Sequence, residues 1–256
     1  MPEASNSLSF WHRRYQHQAG WTAALRAHAY TLAALSAASR VLEVGSGTGV
    51  VSAELQARTS GKVFGAEIDP ASTRFAARAS PGPSYTVSDG AHLPFAASSF
   101  EIVATHFLLL WVKEPASILS EAVRVTRPGG WVLCMAEPDY GGRVDYPDSL
   151  ANLGRLQAHA LQAQGANPYI GRRIRAILGD AGLTEVTAGV MGMDRLGEPA
   201  EEALRSEWET MAADLRGLVS EVELEGWRKA DLEAWRSGRR VLFVPTFYAF
   251  GRKPQR

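Results

Sequence analysis

Val41 to Leu55 reads VLEVGSGTGVVSAEL, an apolar run, three glycines at alternate positions, and then an Ala- and Leu-bearing stretch. The pattern is that of a buried strand, a tight turn and the first turns of a helix, so the ligand such a turn can hold separates the possible α/β folds. A P-loop requires Lys and then Ser or Thr after its last glycine, to reach the terminal phosphates and a metal. Here Gly49 is followed by Val50 and Val51, and that reading fails. A dinucleotide fold uses Gly-x-Gly-x-x-Gly with a pyrophosphate at the helix N-terminus. The spacing here is Gly45-x-Gly47-x-Gly49, with Val50 at the third fingerprint position. Glu43 lies two residues before the first glycine, where its carboxylate would repel a pyrophosphate. An acid in that place suits a cationic or hydroxyl-bearing ligand.

Outward from this turn, strand-like and helical runs alternate. Residues 19–38 are Ala/Leu-rich and predict a helix, RVLEV a strand, 49–58 a helix and KVFGAEI a second strand; Pro70 directly after Asp69 starts a helix over 70–79. Strands follow near SYTVSD and at FEIVATHF, then a helix across 114–125 and a strand at GGWVLCMAEP. Such alternation implies right-handed βαβ units and a mostly parallel sheet covered by helices on both faces. Beyond residue 147 the pattern loosens to helices at about 148–164 and 169–181, a strand at LTEVTAGVM and a last strand RVLFVPTFYAFGR. Between those strands Leu204, Trp208, Met211, Leu215, Leu218 and Val222 recur at three- and four-residue steps, the mark of an amphipathic helix.

Composition narrows the function. The 256 residues suffice for a full core. Lys+Arg and Asp+Glu both number 27, so no basic surplus favours nucleic acid, and Arg172, Arg173 and Arg175 read as a solvated helix face. The single cysteine, Cys134, sits in the apolar run GWVLCMA and offers neither a disulfide framework nor a metal site. MPEASNSLSFWHRR has no apolar signal region, and FLLLWV is far too short to span a bilayer. A cytoplasmic protein without membrane or nucleic-acid partners is expected.

In open parallel sheets ligands bind beyond the carboxyl ends of the strands. Those ends carry Glu43 and the glycine turn, Glu67 in GAEID, Asp89-Gly90 in SDGAHLPF, then THFLLLW and EPDYGG. Acids thus stand at three successive strand ends, with no basic phosphate anchor.

Four blocks in this order, VLEVGSGTG, VFGAEIDPAS, SDGAHLPFAASSFEIV and EAVRVTRPGGWVLCMAEP, resemble the class I S-adenosylmethionine (SAM)-dependent methyltransferases, in the small-molecule branch similar to the quinone-biosynthesis enzymes. The resemblance covers about residues 38–138. It implies a Rossmann-like, doubly wound, mostly parallel seven-stranded sheet with an antiparallel last strand, to which a helical cap is added. On this division 1–37 form an N-terminal helical cover, 38–198 the SAM-binding core, 199–238 a helical insertion and 239–256 the final core strand. Gly45, Ser46 and Gly47 would bring backbone close to the methionine moiety and ribose, Glu43 would orient the amino group, and Glu67 would accept the ribose hydroxyls. Ile68 would lie on adenine, Asp89 would bond the adenine amine beside an N–H at Gly90 or Ala91, and His106 would stand near the methionine end. Glu67 replaces the family's usual Asp, and FEIV the commoner Phe-Asp-x-Val.

Methyl transfer from a sulfonium is an in-line displacement on an activated centre, so the protein positions the acceptor and excludes water, and no metal is required. A general base matters where the acceptor arrives protonated; His106, Asp139 and Tyr140 are the candidates by location. Asp69 reads as a helix N-cap, and His12, His17, His28, His92 and His159 share no ligand spacing. Phe10, Trp11, Tyr15, Trp21 and Tyr30 fit a lid over the cofactor and the core of one helix equally. The expected activity is methyl transfer from SAM to a small, partly apolar acceptor. The rivals are a non-catalytic SAM-binding or regulatory protein and a nucleic-acid methyltransferase; the latter would need a basic groove and typically carries an Asn/Asp-Pro-Pro-aromatic motif after the fourth strand, where this chain has THFLLLW. The stripe at 204–222 and the N-terminal helix are expected to roof the pocket.

Overall fold

The computed structural model of the chain describes residues 7–192 and 201–255. Its strands are β1 (Arg40–Val44), β2 (Lys62–Glu67), β3 (Ser84–Val87), β4 (Phe100–His106), β5 (Thr126–Pro138), β6 (Val144–Tyr146), β7 (Thr184–Gly192), β8 (Val241–Phe243) and β9 (Pro245–Arg252). Seven form one sheet in the order β3-β2-β1-β4-β5-β9-β7. Neighbours from β3 to β5 are parallel, and β9 runs antiparallel to both β5 and β7. This is the expected Rossmann-like sheet with an antiparallel last strand. The chain order reverses between β1 and β4, which opens a crevice at their carboxyl ends.

The helices are α1 (Leu8–Trp21), α2 (Ala23–Leu32), α3 (Val50–Arg58), α4 (Pro70–Ala79), α5 (Pro115–Val125), α6 (Leu153–Ala163), α7 (Ile174–Asp180), α8 (Glu201–Asp214) and α9 (Glu221–Arg236). Strand alternation sorts the core into two layers. Leu42, Val44, Val103 and Val132 join Leu119 and Ala122 of α5 and Leu178 of α7 on one face. Val41, Ile102, Leu133 and Phe250 join Ala29 of α2 and Leu55 of α3 on the other. A third, smaller cluster unites Leu150, Leu153 and Ala160 with Trp208, Met211 and Leu215. Among the described residues no helix is long and apolar enough to cross a membrane.

The structure departs from the sequence pattern at helix and strand ends. The helix expected over 19–38 is two: α1 begins at Leu8, and the break falls at Thr22, whose hydroxyl donates back to the Gln18 and Ala19 carbonyls and competes with the helical ladder. The helices expected at 148–164 and 169–181 shorten to α6 and α7, each preceded by a short 3₁₀ turn. The stripe from Leu204 to Val222 spans α8 and the start of α9. Gly217 at φ +80 turns the chain, and Ser220 with Glu223 forms a capping box that starts α9. Leu218 and Val222 accordingly lie exposed. The expected last strand divides before Pro245, and β8 leaves the main sheet to pair with β6. The boundary drawn at 198/199 lies outside the described residues.

A buried charge network ties this second half together. Arg143 and Arg240 each bond Asp145 at 2.7 Å, Arg240 reaches Asp231 at 2.5 Å, and the Trp208 indole donates to Asp231 at 2.8 Å. It joins β6 and β8 to α8 and α9 without unpaired charge, which is the condition for burying such groups.

Candidate active site

The glycine loop leaves β1 over the carboxyl edge of the sheet. Gly45 and Gly47 have φ of +75 and +51, a region in which only glycine sits without strain. A Cβ at Gly45 would stand 2.6 Å from Leu108, and one at Gly47 would stand 3.3 Å from the Tyr15 ring. The loop is thus narrowed by α1 above it and by the loop after β4 beside it. The Gly47 N–H donates to Glu67 at 2.8 Å, and the Asp69 N–H reaches the other carboxylate oxygen at 3.0 Å. These bonds fix Glu67 at the tip of β2 with acceptor capacity to spare.

These groups border one cavity of about 1290 Å³. A pocket for a single small ligand spans about 300–1,000 Å³, so this one has room for two. Of the sequence-predicted residues, Glu43, Gly45, Ser46, Gly47, Glu67, Ile68, Asp89, Ala91, His106 and Tyr140 line it. Ile68 is 67 % exposed, an apolar side chain on the cavity lining that the described residues leave largely open. Asp89 accepts from the Ala91 N–H at 2.9 Å, and that bond holds its carboxyl below the usual range. The Ala91 donor expected for a ligand is therefore engaged within its own loop. Gly90 lies under this loop, where an added Cβ would meet Val44 at 2.8 Å and Ile118 at 3.0 Å. Its role is close packing.

Glu43 is 2 % exposed and accepts from the Ser52 hydroxyl. Burial pushes its carboxyl up to about 8, with neighbouring Glu67 adding to the shift and Ser52 and Arg26 opposing it. A cationic group arriving beside it would favour the ionised form.

The candidate bases fare differently. His106 Nε2 lies 2.9 Å from the Thr22 hydroxyl, which also accepts from Arg26. Burial, aided by the Arg26 charge, lowers its imidazole to about 3, so it stands neutral and weakly basic. Asp139 does not reach the cavity: it is 1 % exposed, bonded by Arg172 at 2.5 and 2.7 Å and by the Gly142 N–H at 3.1 Å. Tyr140 does line the cavity, and burial raises its phenol above the ordinary value.

Several lining residues escaped the sequence reading. On α1, Arg14 and Gln18 join Trp11 and Tyr15, which the sequence had offered as lid or core, and Gln157 and Gln164 line the cavity from α6 and its C-cap, Thr210, Ala213 and Asp214 from α8. Three- and four-residue spacing of Trp11, Arg14, Tyr15 and Gln18 marks one helix face and was the available signal. Glu137 left none. Fully buried in β5, it accepts from the Leu108, Leu109 and Leu110 N–H groups at 3.1, 3.0 and 3.3 Å. It holds the loop that carries Phe107, a cavity residue at φ +52. Burial pushes its carboxyl up to about 7 against the pull of those three donors.

An acid-edged glycine loop at a switch point, above a mostly parallel sheet with one antiparallel strand, defines the class I SAM-dependent methyltransferase fold. Residues 42–134 match the methyltransferase domain family, and this domain resembles those of the quinone-biosynthesis enzymes. A demethylmenaquinone methyltransferase of Renibacterium salmoninarum is 32% identical over 54% of this chain and 59% of its own. The chain spans about half the length of the curated relatives it matches. A Haloferax volcanii methyltransferase, solved with the Trm112 methyltransferase activator, superimposes with a TM-score of 0.60 at 19% identity over 99% of both chains. A Haemonchus contortus phosphoethanolamine N-methyltransferase 2, solved with SAM, does so with 0.55 at 19% identity over 85% of this chain and 49% of its own. At these identities the two structures speak for the fold.

Proposed function

We propose that the chain transfers the methyl group of SAM to a small, partly apolar acceptor held in the cavity. The observation that carries the reading is that one cavity brings two kinds of lining together. Glu43, Gly45, Gly47, Glu67, Ile68 and Asp89 offer acids, close backbone and an exposed apolar side chain, and the same cavity is lined by the apolar and aromatic Trp11, Leu110, Trp111 and Tyr140. Glu67 would accept the ribose hydroxyls, Ile68 would lie on adenine, Asp89 would take the adenine amine, and Glu43 the α-amino group. Bound there, the sulfonium supplies a methyl carbon already activated toward displacement. The residues of the chain align the nucleophile behind that carbon and exclude water.

On this reading residues 1–37 and 199–238 cover the 38–198 core, and 239–256 closes its sheet. Support comes from α1 and α8, both of which line the cavity. An enclosed acceptor of this kind is a small molecule, not a nucleic acid.

Calorimetry tests the cofactor: SAM or its demethylated product should bind without added metal, and NAD should not. Binding of NAD with none of SAM would overturn the reading. A second reading, a SAM-binding protein without turnover, draws on the bases: His106 is neutral and bonded to Thr22, and Asp139 is tied to Arg172. Turnover assays across phenol, amine and carbon acceptors separate the two.

A further inference from the structure

Among the described residues, the cavity contains a buried cation without an ion-pair partner. Arg14 on α1 is 8 % exposed, lines the cavity, and has a buried Nε without a hydrogen-bond partner. Its guanidinium lies over the Trp21 ring, 5.6 Å from the centroid. Among the described residues no carboxylate stands within ion-pair distance of it. Among the described residues the other buried arginine side chains are all paired: Arg26 with Glu54 at 2.6 Å, Arg143 with Asp145, and Arg240 with Asp145 and Asp231. Removing a guanidinium from water without a counter-charge is strongly unfavourable, so such a site favours an anionic partner.

The position of Arg14 selects which part of the ligand it meets. Tyr15, one residue on, turns its ring to Gly47 on the glycine-loop side. A step of one residue rotates a helix by about 100°, which turns Arg14 away from that loop. The charges acting on Glu43 are those of Arg26 and Glu67, whereas Arg14 acts on Tyr140 at the end of β5, together with Arg143, Asp214 and Glu207. Of these carboxylates Asp214 lines the cavity and already accepts from Gln157 and Gln164 at 3.2 Å each. Elsewhere in the same lining, Trp11, Leu110 and Trp111 suit an apolar or aromatic body.

We infer that Arg14 recognises an anionic group on the methyl acceptor, a carboxylate or an equivalent planar oxyanion, seated on the Tyr140 side of the cavity. The inference rests on the methyltransferase reading and adds the acceptor's charge to it. A planar guanidinium with several N–H donors matches a carboxylate in two parallel bonds, which a neutral amide cannot reproduce.

The test uses the full chain loaded with S-adenosylhomocysteine and a panel of aromatic carboxylates, 4-hydroxybenzoate among them, each paired with its carboxamide. Loading itself reports on the methyltransferase reading: a chain that does not take S-adenosylhomocysteine fails that reading before Arg14 is in question. With loading intact, the acids should bind about tenfold or more tightly than their amides, a difference of about 1.4 kcal/mol. Arg14→Gln should erase the preference while S-adenosylhomocysteine affinity stays within about twofold, and Arg14→Lys should restore part of it. Absence of the preference in the unaltered chain, its survival in Arg14→Gln, or a parallel fall in S-adenosylhomocysteine affinity would each overturn the proposal. The last outcome would assign Arg14 to the cofactor's own carboxylate. Should Arg14→Gln fail to fold, the acid-over-amide ratio of the unaltered chain and of Arg14→Lys decides.

Discussion

Replacing Glu67 by Ala and, separately, Asp69 by Ala places two neighbouring carboxylates in opposition. Glu67 accepts from the Gly47 N–H at 2.8 Å and the Asp69 N–H at 3.0 Å, and it borders the cavity. Asp69 caps α4, accepting from the Ala71 and Ser72 N–H groups at 3.1 and 2.8 Å on the exposed side. A hydrogen bond to an ionised group contributes about 1.5–3 kcal/mol when its partner is a bound hydroxyl. Glu67→Ala should therefore weaken SAM binding by about that amount, roughly ten- to 150-fold. It also frees the Gly47 N–H, so Glu67→Gln, which keeps one acceptor, should fall between the two. Asp69→Ala should lower stability by about 1 kcal/mol, the effect of losing an N-cap, and leave SAM affinity within about threefold. Calorimetric titration with SAM and thermal melts of each variant measure both quantities. Equal losses of affinity in Glu67→Ala and Asp69→Ala would refute the assignment of the ribose to the tip of β2.

Two further outcomes are expected. The carboxyls of Glu43 and Glu137 are raised from 4.5 to about 8 and about 7. The stability each contributes is full below the unfolded value and is lost as pH rises toward the folded one, so the melting temperature should fall between about pH 5 and pH 8. Glu43→Gln, an uncharged isostere, should flatten that slope, and an unchanged slope would count against the buried acid. Trp208→Ala removes a 7 %-exposed indole bonded to Asp231 and should cost about 3–5 kcal/mol of stability, whereas Ala213→Leu, on the cavity wall, should change acceptor KM with little effect on the melt. Acceptor kinetics unmoved by Ala213→Leu would remove α8 from the roof.

What could be read from sequence follows from how local each signal is. The strand–glycine–helix unit, Pro70 after Asp69 and the acids at successive strand ends are encoded within a few residues, and the structure places those strands and α4 where the pattern put them. The stripe at 204–222 was legible as apolar spacing, but the break was carried by Gly217 and by the Ser220–Glu223 pair, short-range signals inside a longer period. Which face of α8 meets the cavity was not encoded locally. Trp208 and Met211 enter the small core with Leu150 and Leu153, and the opposite face, with Thr210 and Ala213, meets the cavity. Glu137 was invisible for the same reason: in sequence it is an acid near a strand end, and its function depends on three N–H groups about 28 residues away in another loop.

The paired Asp139 and the neutral His106 bear on the same chemical question, the protonation state in which the acceptor arrives. A side chain that removes a proton at neutral pH needs basicity near that pH and a lone pair within reach. His106 has its imidazole lowered to about 3 and its Nε2 beside the Thr22 hydroxyl, and Asp139 has both oxygens on Arg172. Tyr140, with its phenol raised by burial, stands as a neutral hydroxyl that can donate to an oxyanion. Arg14 adds a positive charge on the same side of the cavity. These groups suit stabilising negative charge on the acceptor better than creating it. An acceptor that enters already deprotonated at the nucleophilic atom, or whose proton leaves to water beforehand, requires nothing more from the protein than alignment. The expected consequence is a kcat that rises with pH according to the acceptor's own pKa and shifts when acceptors of different acidity are compared. A rise fixed at one pH for all acceptors would instead place a titrating base in the protein.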